Sequence, residues 1–100
     1  MLFELKNYIG IENDDRDITL LLHLNASERY FRRICGDDFD FDTDEDVKEL
    51  LFERCRYADA NALELFEVNF KSELIALRMN MAVRKYARSK DTKKTSTTQI

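Results

Sequence analysis

Proline is absent from this chain of 100 residues, and glycine occurs only at Gly10 and Gly36. Sandwiches and barrels turn their many corners on Gly, Pro and Asn. A chain with so little of that punctuation is driven toward helices. Its length suits one domain, and hydrophobic residues make up 44% of it, enough for one core. The expected fold is all-α: a small bundle of about four helices over residues 1–88, followed by a flexible basic tail over 89–100.

The apolar spacing places those helices. Leu2, Phe3, Leu5, Tyr8 and Ile9 make a short amphipathic segment that stops at Gly10. The polar turn from Ile11 to Asp17 ends in carboxylates that suit the positive end of a following helix. Helix two is expected over about 15–35, and its apolar residues (Ile18, Leu20 to Leu22, Leu24, Tyr30, Phe31, Ile34) fill more than one stripe. That pattern predicts contact on two sides. Arg29, Arg32 and Arg33 favour its negative end, and Gly36 terminates it.

Helix three is expected over 44–67, opened by Thr43 with Asp46 in a capping-box arrangement. Val47, Leu50, Leu51, Cys55, Ala58, Ala62, Leu65 and Phe66 form its buried face. Helix four follows a break near Asn69 and carries two rows, Phe70-Leu74-Leu77-Met81 and Ile75-Ala82-Tyr86. From Ser89 no apolar residue appears before Ile100, so ordering entropy predicts disorder there.

Charge is divided along the chain. Residues 1–69 hold 8 basic and 18 acidic side chains, whereas residues 70–100 hold 8 basic and 2 acidic. Such polarity suits head-to-tail contacts, or a touch on nucleic acid by one end only. Arg84, Lys85, Arg88, Lys90, Lys93 and Lys94 form the basic cluster, a candidate surface for an acidic protein or for phosphates. The acidic body argues against a primary DNA-binding domain.

Seven carboxylates fall in the ten residues from Asp37 to Asp46, with Phe39 and Phe41 between them as expected anchors. Asp38, Asp40, Asp42, Asp46 and Glu49 fit oxygen positions of a calcium-binding EF-hand loop. Thr43 stands where that loop needs glycine, and Glu45 where it needs an apolar residue. The stretch is therefore read as a solvated acidic loop with a helix cap, and no metal is expected.

Cys35 and Cys55 read as reduced, buried thiols of a reducing compartment rather than a disulfide framework. His23, the one histidine, reads as partly buried and structural. No Ser/His/Asp set, carboxylate pair or glycine-rich phosphate loop stands out, so neither catalysis nor a cofactor is expected. No apolar run approaches the roughly 20 residues that span a bilayer, and the Met1-Leu-Phe-Glu-Leu-Lys start is unlike a secretory signal. A cytosolic protein, with no membrane contact, is expected.

The stretch Leu5-Lys-Asn-Tyr-Ile-Gly-Ile-Glu-Asn-Asp-Asp-Arg-Asp17, the Tyr30-Phe31 pair, the Cys35-Gly36 stop and the segments Leu51 to Tyr57 and Ala62 to Phe70 follow one another in an ordered series. In that order they resemble the head–tail connector proteins of long-tailed bacteriophages, also called head-completion or adaptor proteins. The likeness covers residues 2–80 and rests on several weak motifs in sequence. It implies a non-enzymatic helical subunit of the virion, made in the host cytoplasm. About twelve copies would form a ring under the portal protein. The ring would extend the DNA channel, let DNA pass without sequence-specific binding, and dock a stopper or tail protein. Asp37, Asp38, Asp40, Asp42 and Asp44 would then face the channel or the next ring, and the basic cluster would meet the portal or a neighbouring subunit. The alternative is a small helical regulator or nucleic-acid-binding module that uses the basic segment. A calcium-responsive acidic protein is a third reading.

Overall fold

The computed structural model describes residues 1–36 and 40–98, with side chains as far as Arg88. Five helices are present among them: α1 (Leu2–Ile9), α2 (Asp17–Cys35), α3 (Glu45–Asp59), α4 (Leu63–Asn69) and α5 (Lys71–Thr98). The described residues form an all-helical fold, with one helix more than the spacing alone predicts.

Three chain reversals explain the divisions. Gly10 takes a left-handed conformation (φ 90°), and the Gly10 and Ile11 amides both donate to the Lys6 carbonyl, at 2.8 and 2.9 Å. Gly36, also at positive φ, closes α2 by donating to the Arg32 carbonyl. The third reversal corrects the expectation of a continuous helix over 44–67. Asn61 is left-handed (φ 57°), its amide donates to Ala58, and the Ala62 amide reaches back to the Tyr57 carbonyl at 2.8 Å. These are the paired bonds of a Schellman stop, with asparagine in the place usually held by glycine. The expected break near Asn69 is present, at Phe70.

The helix-three cap also shifts. The N-cap is Asp44, not Thr43, and its carboxylate makes no bond to the helix end. It accepts instead from Arg84 at 3.0 Å.

The core is one cluster. α2 contributes Leu20, Leu24, Tyr30 and Phe31; α3 contributes Val47, Leu50, Leu51, Phe52 and Cys55; α5 contributes Leu74, Leu77 and Met81. Leu5 and Phe66 are the buried residues of α1 and α4. Phe31 and Phe66 lie edge-to-face, and Tyr30, Tyr57 and Phe70 complete an aromatic knot around Phe66. α2 and α3 form the largest interhelical interface, with α5 laid across α2 and α4.

α5 runs as far as Thr98, past Ser89. At 1.5 Å per residue α5 is a rod of roughly 42 Å, which gives the chain its 60 Å long axis. The second apolar stripe of α2 is not covered by this chain: Ile18 is 77% and Leu22 63% exposed.

Candidate docking surfaces

The acidic segment after Gly36 is organised locally from Asp40 onward. The Asp40 carboxylate accepts from the Asp42 amide at 2.9 Å, and the Asp40 carbonyl accepts from the Thr43 and Asp44 amides. Phe41 is buried, with the Arg32 guanidinium 5.0 Å from its ring centre. One of the two expected anchors is therefore in place; Phe39, with Asp37 and Asp38, lies outside the described residues. Asp40 and Asp42 are exposed, whereas Asp44 turns inward toward Arg84. No group of three or more His, Cys, Asp or Glu among the described residues is arranged to hold a metal ion.

A groove of about 370 Å³ runs between α3 and α5. Val47, Leu50, Leu77 and Met81 form its floor, and Asp46, Glu49 and Glu73 stand on its rim. Arg84 closes one end through its bond to Asp44. Sequence reading missed this groove because its acids come from two helices far apart in the chain. A shallower hollow lies between α1 and α3, beside Tyr8, Lys48 and Phe52.

The basic cluster is carried on the distal part of α5. Arg84, Lys85 and Arg88 are exposed there, while the side chains of Lys90, Lys93 and Lys94 lie outside the described ones. The structure thus brings Arg84 to the acidic groove and leaves Lys85 turned to the surface. On α5 the Leu74-Leu77-Met81 row is buried. The other row is not: Ile75, Met79, Val83 and Tyr86 are 47–68% exposed. Phe3, Leu65 and Val68 are exposed on other helices.

Several other polar side chains make contacts within the fold. His23 is partly buried, with Nε2 3.8 Å from Asp59, whose carboxylate also takes a bidentate contact from Arg16. Arg54 lies 4.5 Å from the centre of the Tyr30 ring and donates to the buried Ser27 hydroxyl at 2.9 Å. Burial lowers its pKa below the usual arginine value. Cys55 also faces Ser27, and burial pushes its thiol up to about 11. Cys35 is only half-buried, a correction to the expectation of two buried thiols, and burial raises its pKa as well. Both thiols are free.

Tyr30 and Tyr8 link the stability of the fold to alkaline pH. Burial, then hydrogen bonds to Glu67 and Glu53, push both phenols up to about 12 from an ordinary value of 10. A phenol that holds its proton longer when folded contributes stability below about pH 10 and loses it as pH rises toward 12. The urea midpoint is therefore expected to fall between pH 9 and 12. Tyr30→Phe should make that fall shallower; an unchanged slope in the variant would show that Tyr30 does not contribute.

Among the described residues no helix is long and apolar enough to cross a membrane. No family model, curated protein or solved structure matches the chain.

Proposed function

We propose that the chain is a structural subunit that works by docking to other proteins, most specifically a phage head–tail connector that forms a ring beneath a portal. The observation that carries this reading is the surface of the bundle. Two helices, α2 and α5, each bury one apolar row and leave a second one open; among the described residues Ile18, Leu21 and Leu22 of α2 and Ile75, Met79, Val83 and Tyr86 of α5 are exposed. Apolar rows left open along a helix are the kind of surface that marks association sites. The order of motifs shared with head–tail connectors directs the docking reading to that family. In this reading the acidic segment around Asp40 and Asp42 faces the channel, where carboxylates repel DNA phosphates and let the duplex slide.

The direct test is co-migration with portal-bearing capsids, followed by electron microscopy of the particles. A ring beneath the portal is the expected result. Absence of any association with portal particles would overturn the reading, and salt-sensitive binding to short DNA instead would favour a nucleic-acid-binding module acting through Lys85 and Arg88. Asp40→Asn with Asp42→Asn is expected to leave the urea midpoint nearly unchanged, because both side chains are exposed. The same pair should slow DNA release or impair tail joining. Normal phage yield from the double variant would remove the channel-facing assignment.

A further inference from the structure

The floor of the α3–α5 groove and its rim differ in chemistry. Val47, Leu50, Leu77 and Met81 below are apolar. Five carboxylates and one guanidinium line the groove. The guanidinium, Arg84, is already paired with Asp44, and Glu53 accepts from Arg56 and from the Tyr8 hydroxyl. Asp46, Glu49 and Glu73 make no hydrogen bond or ion pair among the described residues, and all three are exposed. Like charges gathered around an apolar trough create a negative field that a cation lying along it relieves. α3 packs on α1, α2 and α4, and α5 on α2 and α4, so the trough between α3 and α5 stays open.

We propose that this groove docks a basic amphipathic helix of a partner protein. Apolar side chains of that helix drop between α3 and α5, and lysines or arginines beside them meet Asp46, Glu49 and Glu73. Volume fixes the mode. The groove holds about 370 Å³, less than one turn of an α-helix roughly 10–12 Å across and 5.4 Å high. The partner's backbone therefore rides above the rim and only its side chains enter. Amphipathic helices engage grooves in this way, through anchors at i, i+3 or i+4 and i+7. The charges have the same spacing. Asp46 and Glu49 lie on successive turns of α3, roughly 5 Å apart along its axis, and a row of cations at i and i+4 on a helix laid alongside matches them.

The sign of the rim rejects nucleic acid and acidic peptides. The chain's own basic cluster is a poorer occupant than a foreign helix. After Tyr86 it carries no large apolar residue before Ile100, so it brings cations without anchors. The floor residues are already largely covered, so docking buries little further apolar surface and charge carries much of the affinity. A small contact of this kind is weak, with Kd expected in the micromolar range. The site is separate from the open rows of α2 and α5, and the proposal does not rest on the connector reading.

Fluorescence anisotropy on the full chain tests it. The probe is a fluorescein-labelled peptide of about 15 residues, long enough to form a helix. It has leucines at i, i+4 and i+7, lysines flanking them and alanine elsewhere. Binding is expected, and it should weaken several-fold as salt rises from about 0.01 M to 0.15 M, where the Debye length falls from roughly 30 to 8 Å. Glu49→Lys with Glu73→Lys should weaken it about tenfold or more, since two attractions become repulsions. Glu12→Lys with Glu64→Lys makes the same change in net charge away from the groove and should cost about twofold at most at 0.15 M salt. Ala76, exposed on the groove wall, gives an uncharged block: Ala76→Trp should abolish binding and leave the urea midpoint nearly unchanged. Equal binding of a scrambled peptide, whose leucines no longer share a face, would reduce the site to simple charge attraction and overturn the proposal. So would equal losses from the two charge-reversal pairs, or undiminished binding by Ala76→Trp. Tighter binding of a peptide copying residues 82–98 would make the occupant a second copy and overturn it too. Rings beneath portals, with the peptide ignored, would remove this site and leave the connector reading standing.

Discussion

Phe66→Ala is expected to destabilise the chain by about 3–5 kcal/mol, the range for removing a fully buried aromatic side chain. Phe66 is 1% exposed, and four rings surround it: Tyr30 at 6.2 Å, Phe31 at 6.4 Å, Tyr57 at 5.9 Å and Phe70 at 5.2 Å between centroids. These rings come from α2, α3 and the α4–α5 junction, so one side chain joins four helices. The cavity left by alanine is walled by rigid aromatics that cannot close over it, which places the cost toward the upper part of the range. Phe66 is also the only buried residue of the seven-residue α4, and a helix that short has no stability of its own. Against a total of about 5–15 kcal/mol for a domain of this kind, the loss takes a large share. It should lower Tm by well over 10 °C at roughly 4–8 °C per kcal/mol. Urea denaturation measures it directly. The neighbour Leu65, 48% exposed, supplies the control, since Leu65→Ala should change little. Equal losses at the two positions would contradict the aromatic knot.

The contrast between Phe66 and Leu65 shows what periodicity reveals and what it hides. Both were expected on the buried face of one long helix. The Asn61 stop re-aims the chain between Ala58 and Leu63, and after it Phe66 points inward while Leu65 does not. Nothing in the apolar spacing announces that turn, because asparagine is unremarkable inside a helix until its backbone turns left-handed. Gly10 and Gly36 were legible because glycine at a helix end has few other uses. The docking faces were half legible for a related reason. Spacing showed that α2 and α5 each carry two apolar rows, but it does not show whether the second row meets this chain or another. Ile18 and Leu22 follow the same spacing rule as Leu20 and Leu24, and only the packing separates them. The rim of the α3–α5 groove was hidden because Asp46 and Glu49 are separated from Glu73 by the Asn61 stop and the break at Phe70.

α1 gives the second large effect. Leu5→Ala is expected to cost about 2–5 kcal/mol and to release α1 before the rest of the bundle unfolds. Leu5 is the one buried residue of the helix and is fully inaccessible. Leu2 and Ile9 are only half-buried against the core, and the polar ties of α1 lie near the surface: Lys6 to Asp14 at 2.7 Å and to Asp17 at 2.8 Å, Glu4 to Lys48, and Tyr8 to Glu53. Exposed pairs of that kind contribute little each, so they guide where α1 sits without holding it there. The Tyr8 ring, 5.5 Å from Phe52, adds one further apolar contact. Eight residues are too few to remain helical alone, so losing the Leu5 anchor should turn a docked helix into a frayed end. Amide exchange reads this residue by residue. Protection should vanish at Lys6, Asn7, Tyr8 and Ile9 in Leu5→Ala, while amides inside α3, such as Leu51 and Cys55, keep most of theirs. Glu4→Gln, which removes only an ion pair, should leave the α1 amides protected. If Leu5→Ala instead lowers protection evenly across α1 and α3, then α1 is part of the same cooperative unit as the core and not a clip held by one side chain.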